Sequence, residues 1–102
     1  MREKDIEKYL YQEAKRRSAM PMKFVSPSLN GVPDRCIIFQ GGLIVFVEVK
    51  APGEKPRKQQ VYRIKQMRDR GAIVRVVDTK AGVDRLMEEV ARWSSNHTNT
   101  KK

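Results

Sequence analysis

Leu43 to Val47 are apolar at five consecutive positions, and that run limits the fold more than any other part of the chain. Side chains of a strand alternate between its faces, so Leu43, Val45 and Val47 fall on one face and Ile44 and Phe46 on the other. A strand apolar on both faces belongs in the middle of a sheet covered by helices. A second apolar run, Arg35 to Phe39, precedes it, and Gly41-Gly42 between the two signals a hairpin. Charge then appears where it is costly. Asp34 sits at the mouth of the first run, and Glu48 and Lys50 continue the Ile44/Phe46 face of the second. A buried strand seldom carries charge without a partner or a task.

The flanking segments supply the cover. Residues 3 to 18 read as an amphipathic helix, with Ile6, Tyr9, Leu10 and Ala14 along one face. Glu3 and Glu7 lie one turn apart on that helix. Pro21 reads as a breaker, residues 22 to 25 as a short strand, and residues 26 to 31 as a loop. After the second run, residues 51 to 56 form a turn-rich connector. Residues 57 to 70 form a second helix, begun by Pro56, ended by Gly71 and striped by Val61, Ile64 and Met67. Residues 72 to 77 are a further strand. Residues 79 to 93 are a third helix, burying Val83, Leu86, Met87 and Val90. Residues 94 to 102 are polar and aperiodic and read as a disordered tail; His97, the sole histidine, falls there and is assigned no chemistry. The element order predicts an α/β sandwich of α-β-β-β-α-β-α type around a mixed sheet, as one domain over residues 1–93.

With 102 residues the chain has material for a single core. Its formal charge of +10 points to a polyanionic partner such as nucleic acid. Half of that excess is concentrated in residues 51 to 70, where seven Lys or Arg face two Asp or Glu. The pattern fits a phosphate-binding surface, and equally a solvated helix face. One cysteine, Cys36, excludes an internal disulfide and a cysteine-rich zinc site, and it reads as a small core residue. The charged start is unlike a signal peptide and no apolar run approaches the length of a membrane span, so the expected location is the cytoplasm.

Glu48 and Lys50 alone would make an ordinary ion pair. Asp34 changes that reading, because two carboxylates converging at one end of a hairpin repel unless a cation lies between them. Oxygen ligands without His or Cys suit Mg²⁺ or Mn²⁺. Such a metal polarises a phosphodiester oxygen and lowers the pKa of a bound water, and a nearby lysine offsets charge growing on the phosphate. The convergence has a geometric condition. A plain two-residue turn at Gly41-Gly42 would pair Asp34 with Val49 and turn it away from Glu48, since a one-residue slip reverses every side chain. A three-residue loop or a bulge opposes Asp34 to Glu48, and that irregularity is expected.

Pro33-Asp34, thirteen intervening residues and Glu48-Val49-Lys50 resemble the PD-(D/E)XK nuclease signature. Gly31-Val32-Pro33-Asp34-Arg35, Val47 to Gly53 and Gln60 are together similar to the VRR-NUC family, over about residues 3 to 78. The resemblance implies a restriction-endonuclease-like fold and metal-dependent cleavage of DNA. It would place Asp34, Glu48 and the Val49 carbonyl on the metal. Lys50 would orient the water or stabilise the transition state, and Gln60 would contact the metal-bound water or the scissile phosphate. A glutamate on the first helix would complete the metal site, with Glu7 the first choice and Glu3 the reserve. Arg35, Lys55, Arg57 and Lys58 are the candidate DNA contacts. The chain departs from the family in having Arg63 where an aromatic residue commonly follows the glutamine by three. Stand-alone members resemble homodimeric junction resolvases, which implies a structure-selective endonuclease on branched DNA such as Holliday junctions. The rivals are a sequence-specific or nonspecific nuclease of the same fold, and a non-catalytic basic nucleic-acid-binding module.

Overall fold

A computed structural model describes residues 1–98. Its order is α1 (Glu3–Arg16), β1 (Met20–Lys23), β2 (Arg35–Ile38), β3 (Ile44–Val49), α2 (Lys58–Asp69), β4 (Ile73–Val77) and α3 (Lys80–Thr98). The four strands form one sheet in the order β1-β2-β3-β4, antiparallel except for the parallel pair β3/β4. The fold is the α/β sandwich with a mixed sheet that the element order predicts.

The hairpin turns through a three-residue loop. The Phe39 amide donates to the Leu43 carbonyl at 2.8 Å, and the Gly42 amide donates to the Phe39 carbonyl at 3.0 Å. Gly41 and Gly42 both have φ near +87°, a region that side chains with a Cβ rarely enter. This loop sets the register that pairs Arg35 with Val47 and Cys36 with Phe46. One step further along the ladder, Asp34 stands opposite Glu48.

The two faces of the sheet are covered unequally. Val45, Val47, Val49, Ile37, Phe39 and Val77 pack under Ile6, Leu10 and Ala14 of α1 and Val83, Leu86, Met87 and Val90 of α3, and all of them are buried. Each fully buried aliphatic side chain of this kind contributes roughly 1.5–3 kcal/mol. The other face holds Cys36, Phe46 and Val74, with Phe24 edge-on to Phe46 at 5.2 Å between centroids and Ile64 buried on α2. One twelve-residue helix is too short to close that face. Ile44 remains 44% exposed and Val76 38% exposed, so β3 is not buried on both sides along its whole length as its composition suggests.

Two element boundaries also differ from expectation. β1 starts at Met20 and includes Pro21, paired with Ile37. Proline is tolerated because β1 is an edge strand. The pairing continues past its end, where the Phe24 amide donates to the Asp34 carbonyl at 2.9 Å. α3 runs on to Thr98, five residues beyond the end at Trp93 read from the sequence. Helical backbone therefore replaces the first part of the expected tail, and residues 99–102 lie outside the described residues.

Candidate active site

The open face of the sheet is where the charged residues meet. Glu48, at the end of β3, is only 3% exposed. Its Oε2 accepts from Gln60 Nε2 at 3.0 Å and lies 3.4 Å from Lys50 Nζ. Its Oε1 is buried without a hydrogen-bond partner, and so is Oδ1 of Asp34. Burial first, and the neighbouring Asp34 charge second, push the Glu48 carboxyl above its usual range against the pull of Lys50. A buried acceptor without a partner is costly. Two of them, one at the end of β3 and one just before β2 and both on carboxylates, form a donor set that suits a hard divalent cation.

Local sequence explains why Gln60 reaches Glu48. The Gln60 side chain caps its own helix, with Oε1 accepting from the Arg57 amide at 2.8 Å. That leaves Nε2 free to donate to Glu48. Gly31 brings the loop that carries Asp34 against the same helix. It has φ +82°, and a Cβ there would lie 2.6 Å from the Gln59 carbonyl oxygen, so only glycine allows the approach. Arg63 adds a second tie, donating from Nε to the Asn30 carbonyl at 2.8 Å. The residue that departs from the family pattern thus fastens this loop to α2.

Asp34 also faces α1. Carboxylate oxygens of Glu3, Glu7 and Asp34 all lie within 4.8 Å of one another. Between them stands Arg35. Its Nη2 donates to Glu7 Oε2, its Nη1 donates to the Asp34 carbonyl at 2.9 Å and lies 3.5 Å from Asp34 Oδ2, and its guanidinium carbon is 6.0 Å from the centre of the Tyr11 ring. At 7% exposed, Arg35 turns its guanidinium to these acids rather than to the surface. The physical reason was available in the strand period: Arg35 follows Asp34 by one and points to the α1 face.

Lys55, Arg57 and Lys58 are exposed at the entry to α2 and make no ion pair among the described residues. Val49 is buried on the core face, so its backbone carbonyl is the only group it can offer to a metal. Cys36 is buried, and burial pushes its thiol up. No helix among the described residues is long and apolar enough to cross a membrane.

No family model matches the chain. Among curated proteins it is similar to "Putative nuclease p44" of Acyrthosiphon pisum secondary endosymbiont phage 1. The two are 42% identical over 80 residues, which span 78% of this chain and 86% of that protein. Among solved structures it is similar to one described as "VRR_NUC domain", with a TM-score of 0.79 and 32% identity, covering 84% of this chain and 94% of the other.

Proposed function

This chain belongs to the VRR-NUC family of nucleases, and on that premise we propose that it is a Mg²⁺- or Mn²⁺-dependent endonuclease that cuts branched DNA as a homodimer. The observation that carries the metal is the pair of buried, unpartnered oxygens, Asp34 Oδ1 and Glu48 Oε1. These two residues would hold the ion, with the Val49 carbonyl as a further ligand. When bound, it supplies positive charge against a phosphodiester oxygen and a water of lowered pKa.

The remaining work falls to the chain itself. Lys50 holds its ammonium beside Glu48 at the edge of the site, where it offsets charge growing on the phosphate. Gln60 fixes the Glu48 carboxylate so that Oε1 stays turned to the reacting centre. Lys55, Arg57 and Lys58 bind the DNA backbone beside the amino-terminus of α2, whose dipole also favours phosphate.

The incompletely covered face supports the dimer. Ile44, Val61 and Val76 are exposed apolar side chains there, and Val61 and Val76 share a groove with Pro56 and Ile64. A two-fold pair gives two sites, matching the two symmetric cuts that a four-way junction requires. The test is cleavage of end-labelled Holliday junction, flap and linear duplex in Mg²⁺, Mn²⁺ or EDTA. The expected result is metal-dependent cutting with the junction preferred. Equal cutting of linear duplex removes the junction preference, and binding without cutting in any metal leaves only a basic binding module.

A further inference from the structure

The acidic residues around Asp34 form two groups that meet at that side chain. Toward α2 lies Glu48, and toward α1 lie Glu7 and Glu3. The two groups are neutralised differently. On the α2 side the fixed donors, Lys50 and Gln60, occupy only Glu48 Oε2 and leave Oε1 open. On the α1 side a cation is already in place. Arg35 is ion-paired to Glu7 Oε2 and lies 3.5 Å from Asp34 Oδ2, so Asp34 gives one oxygen to a guanidinium and keeps the other, Oδ1, without a partner.

Arg35 is held where it is. It lies on β2 on the face that α1 covers, its side chain is 9% exposed, and its Nη1 is also tied to the Asp34 carbonyl. A guanidinium keeps its charge at every accessible pH and cannot leave the site as a hydrated ion can. We propose that Arg35 stands permanently in the place of a second cation, so that this chain binds one divalent metal through Asp34 and Glu48 and Glu7 is not a ligand. Arg35 is then a positioning residue: it neutralises the α1 carboxylates and turns Asp34 so that Oδ1 faces Glu48. This rests on the metal-dependent reading above and narrows it to a single ion.

The test needs no DNA and no turnover. Mn²⁺ is titrated into the full chain, with stoichiometry and Kd read by calorimetry and by the loss of the free-ion electron paramagnetic resonance signal. The wild type is expected to take one Mn²⁺ per chain. Glu7→Gln should leave Kd within about threefold, whereas Glu48→Gln should weaken it by at least about tenfold. Arg35→Met, which frees Glu7 and Asp34 Oδ2, should take up a second Mn²⁺ per chain, with circular dichroism checking that it folds. Two ions on the wild type, or one ion that Glu7→Gln releases, overturns the proposal while leaving the metal-dependent nuclease intact. No Mn²⁺ binding at all sinks the metal-dependent reading itself, and this inference with it.

Discussion

The two faces of one sheet differ in what they hold. Under α1 and α3, β3 presents Val45, Val47 and Val49 to a closed apolar core. Under α2, the same strand presents Ile44, Phe46, Glu48 and then Lys50, and the cover is partial. One six-residue strand therefore packs into a closed core on one side and carries the charged cluster on the other. A small chain tolerates a buried carboxylate with a raised pKa because the cost is carried by a core on the opposite face. Arg35 is the exception, since it stands on the core face and reaches round to the acids.

The largest effect expected is from Glu48→Gln, which should lower cleavage by at least about 10³-fold by removing the proposed metal ligand and the partner of Lys50. The same change should raise the Tm of the metal-free protein at neutral pH. Burial raises the Glu48 pKa in the fold, so this group favours folding fully only below the ordinary glutamate pKa. That contribution is lost as pH rises through the raised folded value. Thermal melts in EDTA from pH 3 to 8 should show the variant's advantage shrinking toward acid. An advantage that persists unchanged at pH 3 would mean burial of the charge is not its source.

Lys50→Ala should reduce kcat by roughly 10²–10³-fold with DNA binding retained, read from single-turnover cleavage beside gel-shift titration. Normal cutting would remove Lys50 from the mechanism. On the opposite face the contrast reverses. Ile37→Ala, at a fully buried position, should cost roughly 2–5 kcal/mol in urea unfolding yet keep kcat near wild type at low temperature. If kcat fell with stability, the two faces would not be separable.

Gly31→Ala bridges the comparison. A left-handed conformation costs a residue with a Cβ roughly 1–2 kcal/mol, and the clash with the Gln59 carbonyl must in addition push the Asp34 loop off α2. Stability and cleavage should therefore fall together. A loss of stability with cleavage unchanged would show that this contact does not position Asp34. The smallest effect is expected at the surface. Arg57→Ala and Lys58→Ala should each flatten the dependence of log Kd on log salt by about one unit, without altering the cut position. An unchanged slope would place the DNA elsewhere.

Much of this was legible along the chain because it depends on local rules. The α1 stripe of Ile6, Leu10 and Ala14 follows helical spacing, and the two-faced apolar run of β3 demands a central strand. Gly41-Gly42 marks the hairpin, the convergence of Asp34 and Glu48 calls for a three-residue loop or a bulge, and the loop's hydrogen bonds show the three-residue loop. Composition is a poorer guide where position in the fold overrides it. Pro21 breaks a helix or a central strand but sits comfortably on an edge strand. The polar segment after Trp93 lacks an apolar stripe, yet the backbone of α3 continues to Thr98. Arg35 reads as a surface cation when grouped with Lys55, Arg57 and Lys58 and as a buried counter-ion once strand alternation is applied.

The amino-acid order by itself determined the strand and helix types, the concentration of positive charge at α2, and the residue types able to bind a hard cation. These follow from periodicity and from the chemistry of single side chains, which need no partner to be recognised. Tertiary structure alone decided that Glu48 and Asp34 each keep one oxygen free, that Gln60 and Lys50 take the other oxygen of Glu48, and that Arg35 enters the acidic cluster rather than the exposed surface. Those outcomes depend on which atoms of distant segments come within hydrogen-bonding reach. That is set by the β2/β3 register and by the approach of Gly31 to α2, and neither exists until the chain has folded.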